Sequence, residues 1–259
     1  MNSIIVASDL SERSREAVRR GVHLAAEMKA RLTVLHVVDA AMPDRVSQQV
    51  QKEAAILLTE EVAADVDGRT VDHEISVVVG DTIQEINHMA ETSGADLLIV
   101  GLHRRRVFLD HIKETTMEHL IRSSSLPVLL VANRADRPYA RVLGGVDLSA
   151  VCASGLQKIQ MIAPDAELTL FHAHEVSFRK EAERDYATWK AVHNLSDALP
   201  QPLFIEASAR DAVQEIFAKD HYDLLAIGAY TRSNAGRYIL GGFSASLIRK
   251  PPCDLLLAK

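Results

Sequence analysis

Two short runs set a carboxylate two residues ahead of a hydroxyl: Asp9-Leu10-Ser11 and Asp147-Leu148-Ser149. Such a carboxylate accepts hydrogen bonds from ribose hydroxyls or from the amino edge of an adenine. It serves equally as the cap of a following helix, whose dipole favours its charge, and the local residues leave both roles open. Gly101 and Gly228 form a second matched pair. Glycine lets backbone come close to a phosphate, and a helix beyond it offers free N–H groups to an anion; a tight strand-to-helix turn needs glycine just as much. His36 and His172 are a third pair, each read as a satisfied core histidine in preference to a ligand-facing one. His172 and His174 alternate onto one face of a strand, which suits a metal pair, but no third ligand follows at a matching spacing and no zinc site is expected. The run Arg104-Arg105-Arg106 reads as a solvated basic turn in preference to a phosphate clamp. Cys152 and Cys253 are too few for a disulfide framework and read as small hydrophobes near a helix start and a strand.

The pairing of these residues has a single source. IIVASDLS at 4–11 recurs as VLGGVDLS at 142–149, and LTVLHVVD at 32–39 as LTLFHAHE at 168–175. DTIQEI at 81–86 recurs as DAVQEI at 211–216, DLLIVG at 96–101 as DLLAIG at 223–228, and LIR at 120–122 as LIR at 247–249. Order is kept, and the offset shrinks in one direction from 138 to 127 residues. This is a tandem duplication.

Each copy reads as alternating strands and helices. The first predicts strands at 3–8, 31–38, 72–79, 96–100 and 127–132, with helices at 12–29, 44–66, 81–93 and 114–124. Ser11 is the expected N-cap of the first helix, Glu12 sits in its first turn, and Val18, Val22 and Ala25 share its buried face. The second copy predicts strands at 140–147, 166–173, 202–206, 222–227 and 254–258. Near-continuous apolar runs such as Leu97-Leu98-Ile99-Val100 suit strands covered on both faces. Right-handed crossovers then build an open, doubly wound parallel sheet in each half, with ligands expected at the carboxyl ends of the strands. The polar stretch Asn133–Pro138 is the linker, giving domains 1–136 and 137–259.

Composition agrees and excludes some function classes. A chain of 259 residues is about twice a compact α/β domain. It is 47% hydrophobic and 25% charged, with enough apolar side chains for two cores. A net charge of −6 argues against a general nucleic-acid or anionic-membrane binder. The N-terminal run MNSIIVASDLSERS has no basic leader, and no stretch nears the roughly 18 apolar residues of a membrane span. A cytoplasmic, reduced compartment is expected.

Taken in order, the strand ending in Asp-Leu-Ser, the LTVLHVVD strand, VVVGD at 77–81 and ADLLIVG before a helix and a Leu-Pro-Val-Leu-Leu-Val strand resemble the universal stress protein family. The resemblance covers the chain twice and looks like the family's two-domain members. It implies two Rossmann-like, adenine nucleotide alpha hydrolase-like domains. It also implies that the final strands, near Val128–Val131 and Leu255–Leu257, pair edge to edge, so that the halves form an internal pseudo-dimer and two chains associate as a homodimer. An apolar edge strand needs such a partner. ATP-binding members carry glycine, two residues, glycine, nine residues, glycine, then Ser or Thr. The first copy offers Gly101, Arg104, Glu114 and Thr115 at those places; the second offers Gly228, Thr231, Gly241 and Gly242, with Ser244 close by. Glu114 sets a carboxylate against phosphate, and Arg210 replaces the glycine that the first copy has at Gly80, where it would fill the pocket or reach an anion. The second copy is therefore the stronger candidate. By resemblance Asp147 or Asp9 holds the adenosine, the backbone at Ala173 or Val37 meets the base, and the glycine loop holds the phosphates. Any metal would be a nucleotide-associated Mg.

The function expected is that of a non-catalytic stress-response protein that binds ATP or a related nucleotide. No Ser-His-Asp order, HExxH or Walker sequence is present. One alternative is a scaffold with both sites lost. The other is an ATP pyrophosphatase, because GGVDLS at 144–149 resembles the Ser-Gly-Gly-x-Asp-Ser loop of those enzymes, although Leu143 stands in place of the leading Ser and Leu148 intrudes before Ser149.

Overall fold

The computed structural model describes residues 1–102, 116–174, 179–231, 239–240 and 242–259. They divide into two units, Met1–Pro138 and Tyr139–Lys259. The first unit runs β1 (Ser3–Ala7), α1 (Glu12–Met28), β2 (Arg31–Asp39), α2 (Asp44–Val66), β3 (His73–Gly80), α3 (Thr82–Thr92), β4 (Leu97–Gly101), α4 (Thr116–Ser123) and β5 (Val128–Val131). Its strands are all parallel, in the order β3-β2-β1-β4-β5. The second unit runs β6 (Arg141–Gly145), α5 (Ala150–Ile162), β7 (Glu167–His174), α6 (Arg179–Val192), β8 (Leu203–Glu206), α7 (Ala209–Lys219), β9 (Leu224–Gly228), β10 (Tyr230–Thr231), β11 (Ile239–Leu240), α8 (Gly242–Arg249) and β12 (Asp254–Ala258). Its parallel strands follow the order β8-β7-β6-β9-β12, and β10 pairs antiparallel with β11. Both units thus share one α/β, doubly wound design.

Local chemistry explains the elements. Ile4, Ile5 and Val6 of β1 and Leu97, Leu98 and Ile99 of β4 are fully buried, as strands between two helical layers must be. Helix α1 packs on α2, β1 and β4, while α3 packs on α4 and β2. Ser11 caps α1 by accepting from Ser14 N at 3.3 Å, and Ser149 caps α5 by accepting from Cys152 N at 3.0 Å. The repeated Asp-Leu-Leu has a structural use. Asp96 Oδ2 accepts from Asn2 N and Ser3 N at 2.6 and 3.2 Å, and Asp223 Oδ2 accepts from Ala140 N and Arg141 N at 2.8 and 2.9 Å. In each unit this carboxylate satisfies the amides that open the first strand.

The polar linker is better ordered than its composition suggests. Glu16 Oε2 accepts from Ala135 N at 2.8 Å, and the buried Arg20 donates to Arg137 O at 2.7 Å. Ala135 itself is fully buried. The segment is a strap fastened along α1, because two charged side chains on one helix face meet backbone groups that would otherwise lose their water.

Candidate nucleotide site

In each unit the chain passes from the first strand to the second and third, then returns to the fourth on the other side of the first. Ligands collect at the carboxyl ends of strands beside such a reversal. In the second unit the crevice lies between β6 and β9. There the register gathers Asp147 just after β6, Ala173 near the end of β7, and Gly228 at the end of β9. The equivalent positions of the first unit are Asp9, Val37 and Gly101.

The two aspartates are not helix caps. Asp9 Oδ1 accepts from Ser11 N at 3.0 Å, and Asp147 Oδ1 accepts from Ser149 N at 2.9 Å, so each closes a turn onto the serine that caps. Both carboxylates are exposed. Between them and the serines, Leu10 and Leu148 sit in the left-handed region at φ 62° and 61°. For a leucine that conformation costs on the order of 1–2 kcal/mol. The same strain at the same place in both units needs something to hold it.

The histidines supply part of the answer. His36 Nδ1 lies 2.8 Å from Ser8 O, and His172 Nδ1 lies 2.7 Å from Val146 O. Each ring is part-buried and tied to the residue just before the aspartate. His172 and His174 stack with centroids 6.4 Å apart, and among the described residues no group of three or more His, Cys, Asp or Glu side chains could hold a metal. Trp189 on α6, the only tryptophan, donates from Nε1 to Ser149 O at 3.0 Å. That contact is not legible in the residues alone, since it depends on α6 folding over the loop. Cys152 is buried, and that burial, with Asp147 nearby, pushes its thiol up to about 12.

The other candidate residues have surroundings of their own. A Cβ on Gly101 would lie 2.6 Å from Arg13 O and 2.9 Å from Ser14 N, so this glycine permits a close approach to the first turn of α1. Beyond it, the Arg13 guanidinium donates to Leu102 O at 3.0 Å, spanning the first unit's crevice. Val151 holds the matching position in the second unit. Gly228 is not followed by a helix, because β10 intervenes. Ser244 is buried, its hydroxyl 3.4 Å from Gly228 O, so it ties α8 to the end of β9 and does not stand open at the crevice. Arg210 is exposed on the first turn of α7. That helix starts one turn earlier than α3 because Ser208 caps it by accepting from Asp211 N, whereas Asp81 caps α3. Gly144 and Gly145 lie inside β6; a Cβ on Gly144 would meet Leu170 Cδ2 at 2.7 Å, which makes them packing glycines of a strand.

Gly242 is different. It is the exposed first residue of α8, and a Cβ there would meet nothing within 4 Å. Open space and a helix N-terminus coincide at that point. Gly241, Glu114, Thr115 and Arg104 to Arg106 lie outside the described residues. Among the described residues no helix is long and apolar enough to cross a membrane.

Comparison with known proteins agrees with this geometry. The model of the universal stress protein family matches residues 1–132. Universal stress protein YxiE of Bacillus subtilis (strain 168) is 28% identical over 148 residues, which span 50% of this chain and 98% of that protein. A universal stress protein from Archaeoglobus fulgidus DSM 4304 has a similar solved structure, with a TM-score of 0.78 and 19% identity over 100% of this chain and 98% of its own. A functionally unknown protein from Pseudomonas aeruginosa PAO1 gives a TM-score of 0.66 and 19% identity over 99% of this chain and 92% of its own. At such identities the structural likeness speaks for the fold alone.

Proposed function

The chain belongs to the universal stress protein family, and from that footing we propose that it is a non-catalytic stress-response protein that binds ATP or a related nucleotide in its second unit. The observation that carries this reading is the meeting of Asp147, Ala173 and Gly228 beside the strand-order reversal, together with open space at Gly242. Asp147 would accept from the ribose, the backbone at Ala173 would meet the base, and N–H groups at Gly228 and Gly242 would face the phosphates. Mg would enter with the phosphates, and no resident metal is proposed. The second unit is preferred because Arg13 reaches Leu102 O across the first unit's crevice, whereas Val151 at the matching position has no guanidinium to do so.

Isothermal titration of the full chain with ATP tests the proposal. Saturable heat corresponding to one site is expected, with affinity about tenfold weaker in Asp147→Ala, the value of one lost charge-assisted hydrogen bond or roughly 1.4 kcal/mol. Wild-type protein that releases no saturable heat would end this reading.

A further inference from the structure

We infer that His172, like its twin His36, is a positioning residue that holds the strained aspartate loop in place. The inference rests on the nucleotide reading only for its effect on affinity. A carbonyl oxygen can only accept, so the contacts from His172 Nδ1 to Val146 O and from His36 Nδ1 to Ser8 O require a proton on Nδ1. The residue before each aspartate is then held on both sides. Its N–H donates to the second strand, from Val146 to Phe171 O at 2.8 Å and from Ser8 to Leu35 O at 2.9 Å, and its C=O accepts from the histidine. Immediately after this clamp come the aspartate and the left-handed leucine.

A leucine released from that region relaxes to ordinary φ, and the peptide between Asp147 and Ser149 turns with it. The bond from Ser149 N to Asp147 Oδ1 would then break and the carboxylate would swing away from the crevice. The tether ends on main chain. It therefore survives the change from Ser8 in one unit to Val146 in the other. His172 acts on a nucleotide through Asp147 and need not touch it.

Hydrogen exchange and nitrogen NMR on the full chain test this, with ATP as the probe ligand. In His172→Ala the Ser149 amide should exchange at least tenfold faster while amides of β9 keep their wild-type rates, and ATP affinity should fall about tenfold. His172→Asn, whose side-chain amide can donate in the place of Nδ1–H, should restore most of both. In wild-type protein the imidazole shifts should mark Nδ1 as protonated. Unchanged Ser149 exchange in His172→Ala, acceleration spread equally over β9, or an Nδ1 without a proton would each overturn the inference. A wild-type chain with no ATP response would end the nucleotide reading, and the exchange comparison would still decide the role of His172.

Discussion

Gly101→Ala should cost the first unit about 3 kcal/mol, at the upper end of what overpacking normally costs. The added Cβ would stand 2.6 Å from Arg13 O, 2.8 Å from Arg13 C and 2.9 Å from Ser14 N. All three are backbone atoms in the first turn of α1, a turn already fixed by its Ser11 cap. No rotamer change relieves such a contact. Either β4 or the helix must move, and both carry fully buried side chains. Gly94→Ala provides the contrast, because its Cβ would meet nothing within 4 Å and only its φ of 65° opposes the change. That variant should lose about 1 kcal/mol. Urea unfolding followed by circular dichroism separates the two, and equal midpoints for both variants would contradict the packing assigned to Gly101.

Gly242→Asp should move stability and binding in opposite directions. The residue is exposed and its Cβ meets open space, so the backbone accepts a side chain. A carboxylate in the first turn of α8 interacts favourably with the helix dipole, worth about 0.3–1 kcal/mol. Against phosphates bound at the same helix end, the like charge costs roughly 1 kcal/mol in water at about 4 Å and about four times that where water is partly displaced. An ATP affinity weaker by about 30-fold, near 2 kcal/mol, is the expected outcome, with a melting temperature equal to or above that of wild type. A variant that binds ATP as tightly as the parent would remove the phosphates from α8. One that also unfolds would contradict the open space found at Gly242.

What the sequence conveyed depended on how local the cause was. Buried parallel strands announce themselves as apolar runs, and every parallel strand of either unit lies within two residues of its expected bounds. Ser11 caps α1 as its position before Glu12 implies, since a cap needs only its own next turn. Other features needed partners far along the chain. The left-handed Leu10 and Leu148 lie two residues beyond carbonyls, at Ser8 and Val146, that accept from histidines 28 and 26 residues further along the chain, and no propensity could indicate that. Asp96 and Asp223 were visible as a repeated Asp-Leu-Leu, yet their use lies at the start of a neighbouring strand. Among the site residues, Asp147, Ala173 and Gly228 share an edge because strand order follows from the alternating pattern. The burial of Ser244 is not legible in the sequence, because it depends on how α8 folds back onto Gly228.

Amide NMR of the labelled full chain titrated with ATP addresses most directly which unit takes a nucleotide and where. The account predicts saturable shifts at Asp147, Ser149, Ala173, Gly228 and Gly242, with Asp9, Ser11 and Val37 unmoved. Shifts confined to the first set of strand ends, or none anywhere at millimolar ATP, would contradict it.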